Sequence, residues 1–284
     1  MKPMPAQSLI AIITDFGDQD PFVGIMKGVI AGISPRSRIV DINHNLPQGD
    51  ILRAAVQLWM AKAYFPKGTV FLAVVDPGVG TTRKGLIIQD QDYTFIGPDN
   101  GIFTFAVEQD APAWELGESN FRLVNGSNTF HGRDIFAPAA AHVANGVSGQ
   151  EFGRAIKTRI ALPGPKLVVD KARITGQVLY SDRFGNLLTS LGRFTRSDER
   201  RYQFQPWLPA GALGSRKLNL NIDRAIFQLH GGQMLSWVET FADISPGECA
   251  GLVGSSGLLE IAAMNNSAHQ LTKLSAGDTI TLLF

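Results

Sequence analysis

The first half of the sequence alternates short apolar runs with longer amphipathic stretches, and this alternation is the feature that most constrains the fold. Apolar runs predict buried strands, and apolar residues at helical spacing predict helices. Asp50 is suited to cap the helix that follows it, and Pro66 prevents that helix from continuing. We predict strands at 9–14, 38–42, 69–75, 85–89 and 93–96, the last two as a hairpin, and helices at 22–33, 51–64 and 134–145.

The composition changes at the stretch LPGPKLVVDK, where two prolines and a glycine predict a linker. Strands separated by helices before it favour a Rossmann-like α/β domain with a mostly parallel sheet and flanking helices. After it, short alternating segments parted by turns predict a smaller, mainly antiparallel β domain, a barrel or sandwich. These segments are 173–182, 186–191, 217–222, 225–230 and 279–284. The predicted boundaries are 1–162 for the first domain, 163–171 for the linker and 172–284 for the second domain.

The charge balance points away from large anionic partners. Lys and Arg number 26 against 25 Asp and Glu, a formal net charge of +1, so we expect no nucleic acid or membrane partner and instead a small ligand. The single cysteine, Cys249, excludes an intrachain disulfide and fits a reducing compartment. Residues 1–13 run straight into the first strand rather than forming a signal peptide. We therefore expect a soluble, cytoplasmic protein.

The histidines do not form a metal-binding pattern. All five are scattered along the chain, at positions 44, 131, 142, 230 and 269, and no HExxH or acidic triplet accompanies them. Any catalysis is therefore expected to use side chains alone, with no metal and no cofactor.

Polar residues directly after apolar runs are the candidate site residues, because ligands of open α/β sheets bind beyond the carboxyl ends of the strands. Asp15 could bind both hydroxyls of a ribose, or could serve as a turn or helix-cap residue. Asp76 and Arg83 can pair across the glycine loop DPGVGTTR, either within a site or as a structural salt bridge. His131 precedes a predicted helix whose dipole favours a neutral, proton-accepting ring; a structural histidine is the alternative.

Five motifs occur in an order that is specific in combination. They are TDFG at 14–17, DPGVGTTR at 76–83, PDNG at 98–101, FHGRD at 130–134 and SDRFGN at 181–186. With them, the chain from Ile12 to its C-terminus resembles the S-adenosyl-L-methionine hydroxide adenosyltransferases, relatives of the bacterial fluorinase and chlorinase. The resemblance implies hydrolysis of S-adenosyl-L-methionine to adenosine and L-methionine, by attack of water or hydroxide on the ribose C5′. It also implies an N-terminal α/β domain, a C-terminal β-barrel, and a homotrimer whose sites lie between the N-terminal domain of one subunit and the C-terminal domain of its neighbour.

The family's Asp, Arg and His triad matches Asp76, Arg83 and His131. The resemblance implies that Arg83 favours hydroxide character in a bound water, while Asp76 and His131 orient that water and accept its proton. Asp15 corresponds to the aspartate that binds the ribose.

The resemblance also implies substrate contacts in the C-terminal domain. Asp182 would meet the methionine ammonium, Phe184 would pack on the adenine, and Asn186 would bind the adenine edge. Ser255 and Ser256 fall where the halogenases have a Ser–Arg pair near the methionine carboxylate. No arginine follows here, so a glycine–serine turn between strands remains the alternative.

Two other functions remain open alongside the hydrolase. A halogenase would use the same substrate, but those relatives lack the triad, and Asp76 would repel a halide. A non-catalytic S-adenosyl-L-methionine sensor or buffer would need the adenosine contacts but not the triad.

Overall fold

The computed structural model describes residues 8–206 and 218–284 of the 284-residue chain. The chain divides into two compact units, Met1–Leu162 and Pro163–Phe284. Of the segments discussed above, residues 1–7 and Lys217 lie outside the described residues.

The N-terminal unit is built on a six-stranded mixed sheet, with strand order β2-β1-β3-β5-β4-β6. The strands are β1 (Leu9–Thr14), β2 (Arg38–Asn43), β3 (Val70–Val74), β4 (Gly85–Asp90), β5 (Tyr93–Pro98) and β6 (Ala113–Glu115). The β1–β2, β1–β3 and β3–β5 pairs are parallel, and β4 runs antiparallel to both β5 and β6. The predicted hairpin is thus formed by β4 and β5, and its strand β5 pairs with β3 of the parallel set. The short strand β6 pairs with the other side of β4 and forms the edge of the sheet.

Helices cover both faces of this sheet, which explains why β1 is apolar from Leu9 to Ile13. Ile10 and Ile12 pack with helices α1 (Phe22–Ile33) and α3 (Ala137–Ala144) on one face. Ala11 and Ile13 pack with α2 (Ile51–Lys62) on the other. Successive side chains of a strand point to opposite faces, so a strand covered on both sides is apolar at consecutive positions. Thr14, the last residue of β1, is buried too, and its hydroxyl is hydrogen-bonded to Nδ1 of His44 at 2.8 Å.

The start of α2 follows the sequence prediction. Asp50 is its N-cap, and its side chain accepts a hydrogen bond from the Arg53 N–H at 2.9 Å. This bond satisfies one of the backbone donors that a helix start leaves without an intrahelical partner.

The predicted helix 134–145 is two elements. Gly132–Phe136 forms a π-helical turn, and the α-helix begins only at Ala137. Pro138 has no N–H to donate to the Asp134 carbonyl, which instead accepts from the Leu123 N–H at 2.9 Å. The proline therefore explains why regular α-helix starts later than the apolar pattern indicates.

The C-terminal unit is a set of antiparallel strands. They are β7 (Val168–Val169), β8 (Arg173–Ser181), β9 (Leu187–Asp198), β10 (Arg201–Gln205), β11 (Leu218–Asn221), β12 (Ile226–Leu229), β13 (Met234–Ser236), β14 (Cys249–Val253), β15 (Leu258–Ala263) and β16 (Thr279–Leu283), with one short helix, α4 (Ala268–Thr272). The strand order is β11-β10-β9-β8-β16-β12-β13, and β15 pairs with both β9 and β14. The short strand β7 lies within the predicted linker and pairs with β8. Beyond β13, Trp237 and Gly251 form an isolated parallel bridge, and the Val238 N–H donates to the Gly251 carbonyl at 2.9 Å.

None of the helices within residues 8–206 and 218–284 has the length and apolar character that crossing a membrane requires.

A matched pair of glycine substitutions tests the packing of the N-terminal sheet. A Cβ on Gly97 would lie 2.1 Å from the Ala73 carbonyl oxygen and 2.9 Å from Cζ of Phe103. We expect Gly97→Ala to lower the free energy of unfolding by about 1–3 kcal/mol. A Cβ on Gly28, in α1, would meet no atom within 4 Å. Gly28→Ala should therefore raise stability by up to about 1 kcal/mol. Denaturant titration followed by circular dichroism measures both, and equal effects of the two variants would contradict the packing described.

Candidate active site

In the N-terminal unit, Arg83 is in direct contact with both Asp76 and His131. Nε of Arg83 donates to Oδ1 and Oδ2 of Asp76 at 2.9 and 3.0 Å, and Nη2 also donates to Oδ2. The same Nη2 lies 2.7 Å from Nδ1 of His131. The Asp76 and Arg83 side chains are only 5% and 10% exposed. The guanidinium therefore joins a carboxylate and an imidazole where water screens their charges poorly.

The loop between Asp76 and Arg83 requires glycine at position 80 and is closely packed at position 78. Gly80 has a φ of +78°, and a Cβ there would lie 2.7 Å from the carbonyl oxygen of Asn128. A Cβ on Gly78 would lie 3.3 Å from Cγ of Arg83. Larger residues would strain the backbone at the first position and crowd the arginine stem at the second. Gly78 therefore leaves room for the Arg83 side chain, and Gly80 lets the loop approach the Asn128 carbonyl.

The PDNG motif supports the strand end from which Asp76 projects. Nδ2 of Asn100 donates to the carbonyl of Val75 at 2.8 Å. Oδ1 of Asp99 accepts from the Ile160 N–H at 2.9 Å. These side chains fix backbone at the sheet edge, so the motif has a structural role here.

His131 is held as a neutral ring. A guanidinium can only donate, so Nδ1 accepts from Arg83 and the neutral ring carries its proton on Nε2. Burial lowers the pKa of His131 and the Arg83 charge lowers it further, while Asp76 opposes them. The sequence analysis predicted a neutral ring from the helix dipole, but the causes found here are burial and the adjacent cation.

A cleft of about 420 Å³ in the N-terminal unit is lined by both Asp15 and Asp76. Oδ2 of Asp15 accepts from the Gly49 N–H at 2.8 Å, which orients the carboxylate. The cleft is also lined by Gln48 and Pro77, among others. It is large enough for a small ligand group.

Aromatic rings form part of the same cleft. Phe16 and Phe22 line it, and both stand edge to face with Phe130, with ring centroids 5.9 and 5.4 Å away. Phe22 is 43% exposed, so this ring offers apolar area to a ligand. Sequence reasoning missed these rings, although two of them lie within the TDFG and FHGRD motifs.

Asp134, three residues after His131, accepts hydrogen bonds from residues close to it in the sequence. It accepts from the Ser127 N–H at 2.6 Å and from Nε of Arg133 at 2.6 Å.

Within the described residues, no group of three or more His, Cys, Asp or Glu side chains is arranged to hold a metal ion.

In the C-terminal unit, Asp182 organises the SDRFGN turn. Its Oδ1 accepts from the backbone N–H groups of Phe184 and Asn186, both at 2.8 Å, and its Oδ2 accepts from Nδ2 of Asn186 at 3.0 Å. Asn186 is buried, whereas Phe184 is 78% exposed. An exposed phenylalanine on a rigid turn is a surface on which an aromatic ligand can stack.

Ser255 and Ser256 lie in the tight turn between β14 and β15. The Gly254 N–H donates to the Leu258 carbonyl at 2.9 Å, and Gly257, with φ of +81°, donates back to Gly254 at 2.9 Å. The turn that the sequence analysis kept as an alternative is therefore present. It does not exclude the serine hydroxyls as ligand contacts.

Glu260, in β15, was not a candidate from the sequence. A Cβ on Gly254 would lie 1.8 Å from its Oε1, so the carboxyl stands over the serine turn. Burial, together with the charge of Asp182, raises the pKa of Glu260 to about 7. The available signal was a single acid within the otherwise apolar run LLEIAA.

The His131 environment gives a direct spectroscopic prediction. We expect its pKa, followed by NMR of the ring nitrogens, to lie below 6.5. Arg83→Gln should raise that pKa because it removes a neighbouring positive charge. Arg154→Gln, which changes an arginine with a 73% exposed side chain, is the control and should leave it unchanged. A His131 that titrates above its ordinary value would contradict the neutral ring.

Comparison with known proteins assigns both units of the chain to one family. Residues 10–153 match the SAM hydroxide adenosyltransferase N-terminal domain, and residues 176–281 match the C-terminal domain of the same family. The (R)-S-adenosyl-L-methionine hydrolase of Thermus thermophilus is 35% identical over 96% of this chain and 99% of the relative. A fluorinase of Actinoplanes sp. is 28% identical over 67% of this chain and 74% of its own. The crystal structure of an uncharacterized conserved protein from Thermotoga maritima superimposes with a TM-score of 0.83 and 31% identity, covering 97% of this chain and all (100%) of that one. The chain belongs to the SAM hydroxide adenosyltransferase family.

Proposed function

We propose that this chain hydrolyses S-adenosyl-L-methionine to adenosine and L-methionine by attack of water or hydroxide on the ribose C5′. The observation that carries the proposal is the contact among Asp76, Arg83 and His131 beside a cleft that Asp15 also lines. The name of the Thermus thermophilus relative, 35% identical over nearly its whole length, supports the same reaction.

The reaction is a nucleophilic substitution. The water oxygen bonds to C5′ as the C5′–S bond breaks, and the bonding electron pair stays on sulfur, which becomes the neutral thioether of methionine. The proton of the water passes to a side-chain base and then to solvent. A sulfonium is already a good leaving group, so no general acid is needed. The work of the protein is to position a poor nucleophile in line with the breaking bond.

The hydrogen bonds divide the roles of the triad in this proposal. Nδ1 of His131 is engaged by Arg83, so its Nε2–H would donate to the nucleophile and orient it. Asp76 is then the base, because a carboxylate oxygen can accept a further bond beside those from Arg83. The positive charge of Arg83 favours hydroxide character in the bound water. This differs from the expectation that His131 also accepts the proton.

Substrate recognition in the proposal uses both units. Asp15, oriented by the Gly49 N–H, binds the ribose hydroxyls. The proposed contacts of the C-terminal unit are Phe184 and Asn186 with the adenine, Asp182 with the methionine ammonium, and Ser255 and Ser256 with the methionine carboxylate. No cofactor takes part.

We further propose that the strands of the C-terminal unit close into a barrel and that the chain works as a cytoplasmic homotrimer. The Val238 bond to Gly251 supports closure, because it links the chain after β13 to β14. The trimer, with the C-terminal residues of each site supplied by a neighbouring subunit, rests on the family resemblance.

Substitution of the triad separates catalysis from binding. We expect Asp76→Asn, Arg83→Ala and His131→Ala each to lower kcat by roughly 10²–10⁴-fold with little change in Kd, because their contacts strengthen only toward the transition state. Asp15→Ala and Asn186→Ala should mainly raise Kd. A double triad variant should be little worse than the worse single one, since the groups serve one water.

Adenosine release gives kcat, calorimetry gives Kd, and circular dichroism tests folding. Asp92→Asn and Arg154→Ala, which alter exposed surface ion pairs, are the matched controls. If Asp76→Asn and Arg83→Ala turn over normally, the Asp76–Arg83 pair is a structural salt bridge and has no role in catalysis.

The reaction itself can be tested without added metal. We expect the purified protein, incubated with S-adenosyl-L-methionine, chloride and a chelator, to release adenosine and L-methionine in equal amounts. Chromatography identifies the products. A 5′-halogenated nucleoside would indicate a halogenase, and activity lost to chelator and restored by a divalent ion would overturn the metal-free mechanism.

A further inference from the structure

A line of polar contacts runs from the protein surface to the last residue of β1, next to Asp15. Oγ1 of Thr14 lies 2.8 Å from Nδ1 of His44. Nε2 of the same ring lies 3.1 Å from Oδ1 of Asp41, whose Oδ2 accepts from Nζ of Lys27 at 2.6 Å. The roles given to Asp76, Arg83 and His131 do not use these groups.

Burial and charge set the direction of the contacts. Thr14 is 0% exposed and His44 is 8% exposed, whereas the side chains of Lys27 and Asp41 are 34% and 43% exposed. Burial acts to raise the pKa of Asp41, but Lys27 and His44 together bring it below its ordinary value. An ionised carboxylate can only accept, so it favours the ring tautomer with the proton on Nε2. In that tautomer Nδ1 accepts from the Thr14 hydroxyl.

The threonine hydroxyl does not serve as a nucleophile. A hydroxyl, an imidazole and a carboxylate in series are the parts of an activated nucleophile. Thr14, however, has no exposed surface, so a substrate has no access to its oxygen. The contacts therefore act on the position of the chain around Thr14.

The loop at 44–50, between β2 and α2, holds the TDFG segment at three points. The first is the bond between the side chains of Thr14 and His44. At the second, the His44 carbonyl accepts from the Gly17 N–H at 2.8 Å. At the third, the Gly49 N–H donates to Oδ2 of Asp15 at 2.8 Å. Asp15 thus lies between two residues that are both bonded to His44.

We propose that His44, held by Asp41, is a positioning residue that fixes the carboxylate of Asp15 through the hydroxyl of Thr14. The inference rests on the proposed function, in which Asp15 binds the ribose hydroxyls. A carboxylate fixed in direction before the ligand arrives loses less entropy on binding. Removal of either partner leaves the other buried and unpaired, which favours a shift of the segment.

The test compares two probes that differ only at the ribose, adenosine and 2′,3′-dideoxyadenosine. Calorimetry gives their Kd values for the full-length wild type and variants, with competition for the weaker ligand. We expect wild type to prefer adenosine roughly tenfold or more, as hydrogen bonds to a charged group allow. Thr14→Val and His44→Leu should lose most of that preference. Thr14→Ser keeps the hydroxyl and His44→Asn keeps a hydrogen-bonding atom near the place of Nδ1, so both should retain it.

A matched control removes a buried hydroxyl elsewhere in the same sheet. Thr69, just before β3, is 1% exposed and its Oγ1 donates to the Pro66 carbonyl at 2.7 Å. We expect Thr69→Val and Thr14→Val both to lower Tm, and Thr69→Val to keep the full preference for adenosine. Equal loss of preference in these two variants would show a general effect of destabilisation and would overturn the proposal.

A double variant shows whether the effect passes through Asp15. In the Asp15→Ala background, Thr14→Val should cause no further loss of preference, because the group that it positions is already absent. In hydrolysis, Thr14→Val alone should raise KM and leave kcat largely unchanged. If Thr14→Val weakens adenosine binding equally with and without Asp15, the positioning role is wrong.

The remaining outcomes separate this inference from the proposed function. If Thr14→Val and His44→Leu keep the full preference, the positioning role is wrong while hydrolysis can still stand. If the preference depends on both residues but S-adenosyl-L-methionine yields no adenosine, the positioning role stands and the hydrolase proposal fails. If wild type binds both probes equally, the ribose contact of Asp15 is wrong and this inference falls with it. Should Thr14→Val not fold, the comparison of His44→Leu with His44→Asn decides.

Discussion

The bonds made by Arg83 are the constraint on which the N-terminal site depends. They join Asp76, at the end of β3, to His131, which precedes the π-helical turn nearly fifty residues later in the chain. Because the Asp76 and Arg83 side chains are largely buried, loss of one charge leaves the other buried and unpaired, which costs stability. The glycine loop brings Asp76 and Arg83 together, and burial and the Arg83 charge both lower the pKa of His131. A site built from a carboxylate and an imidazole on a shared cation can hold and deprotonate water without a metal.

Two other candidate site carboxylates are held by backbone N–H groups and not by a cation. Asp15 and Asp182 are oriented by backbone N–H groups of nearby turns, so their direction is fixed before any ligand arrives. Such preorganisation reduces the entropy lost on binding. Glu260 has no hydrogen bond of this kind in the described residues, and burial, with the charge of Asp182, raises its pKa to about 7.

Much of the N-terminal unit could be predicted because its signals are local. An apolar run, a capping aspartate and a terminating proline are read from neighbouring residues, and β1 and α1 have the bounds predicted for them. The strands β14 and β15 were missed because CAGLV and LLEIAA are buried almost throughout and show no alternation. Arg83 and His131 lie far apart in the sequence, so their hydrogen bond could not be predicted from local patterns. The sequence indicated which residue types take part, and the fold shows how Arg83 bonds to Asp76 and His131. Glu260 was missed because its raised pKa depends on burial and on the charge of Asp182, which is far away in the sequence.

Isotope labelling tests the central claim, that a water held by the triad attacks the ribose carbon. The protein would be incubated with S-adenosyl-L-methionine in ¹⁸O-labelled water, and both products examined by mass spectrometry. We expect one ¹⁸O atom in the 5′-hydroxyl of adenosine and none in L-methionine, because the C5′–S bond breaks as the new C–O bond forms. Label incorporated into the amino-acid product, or adenosine without label, would contradict attack at C5′.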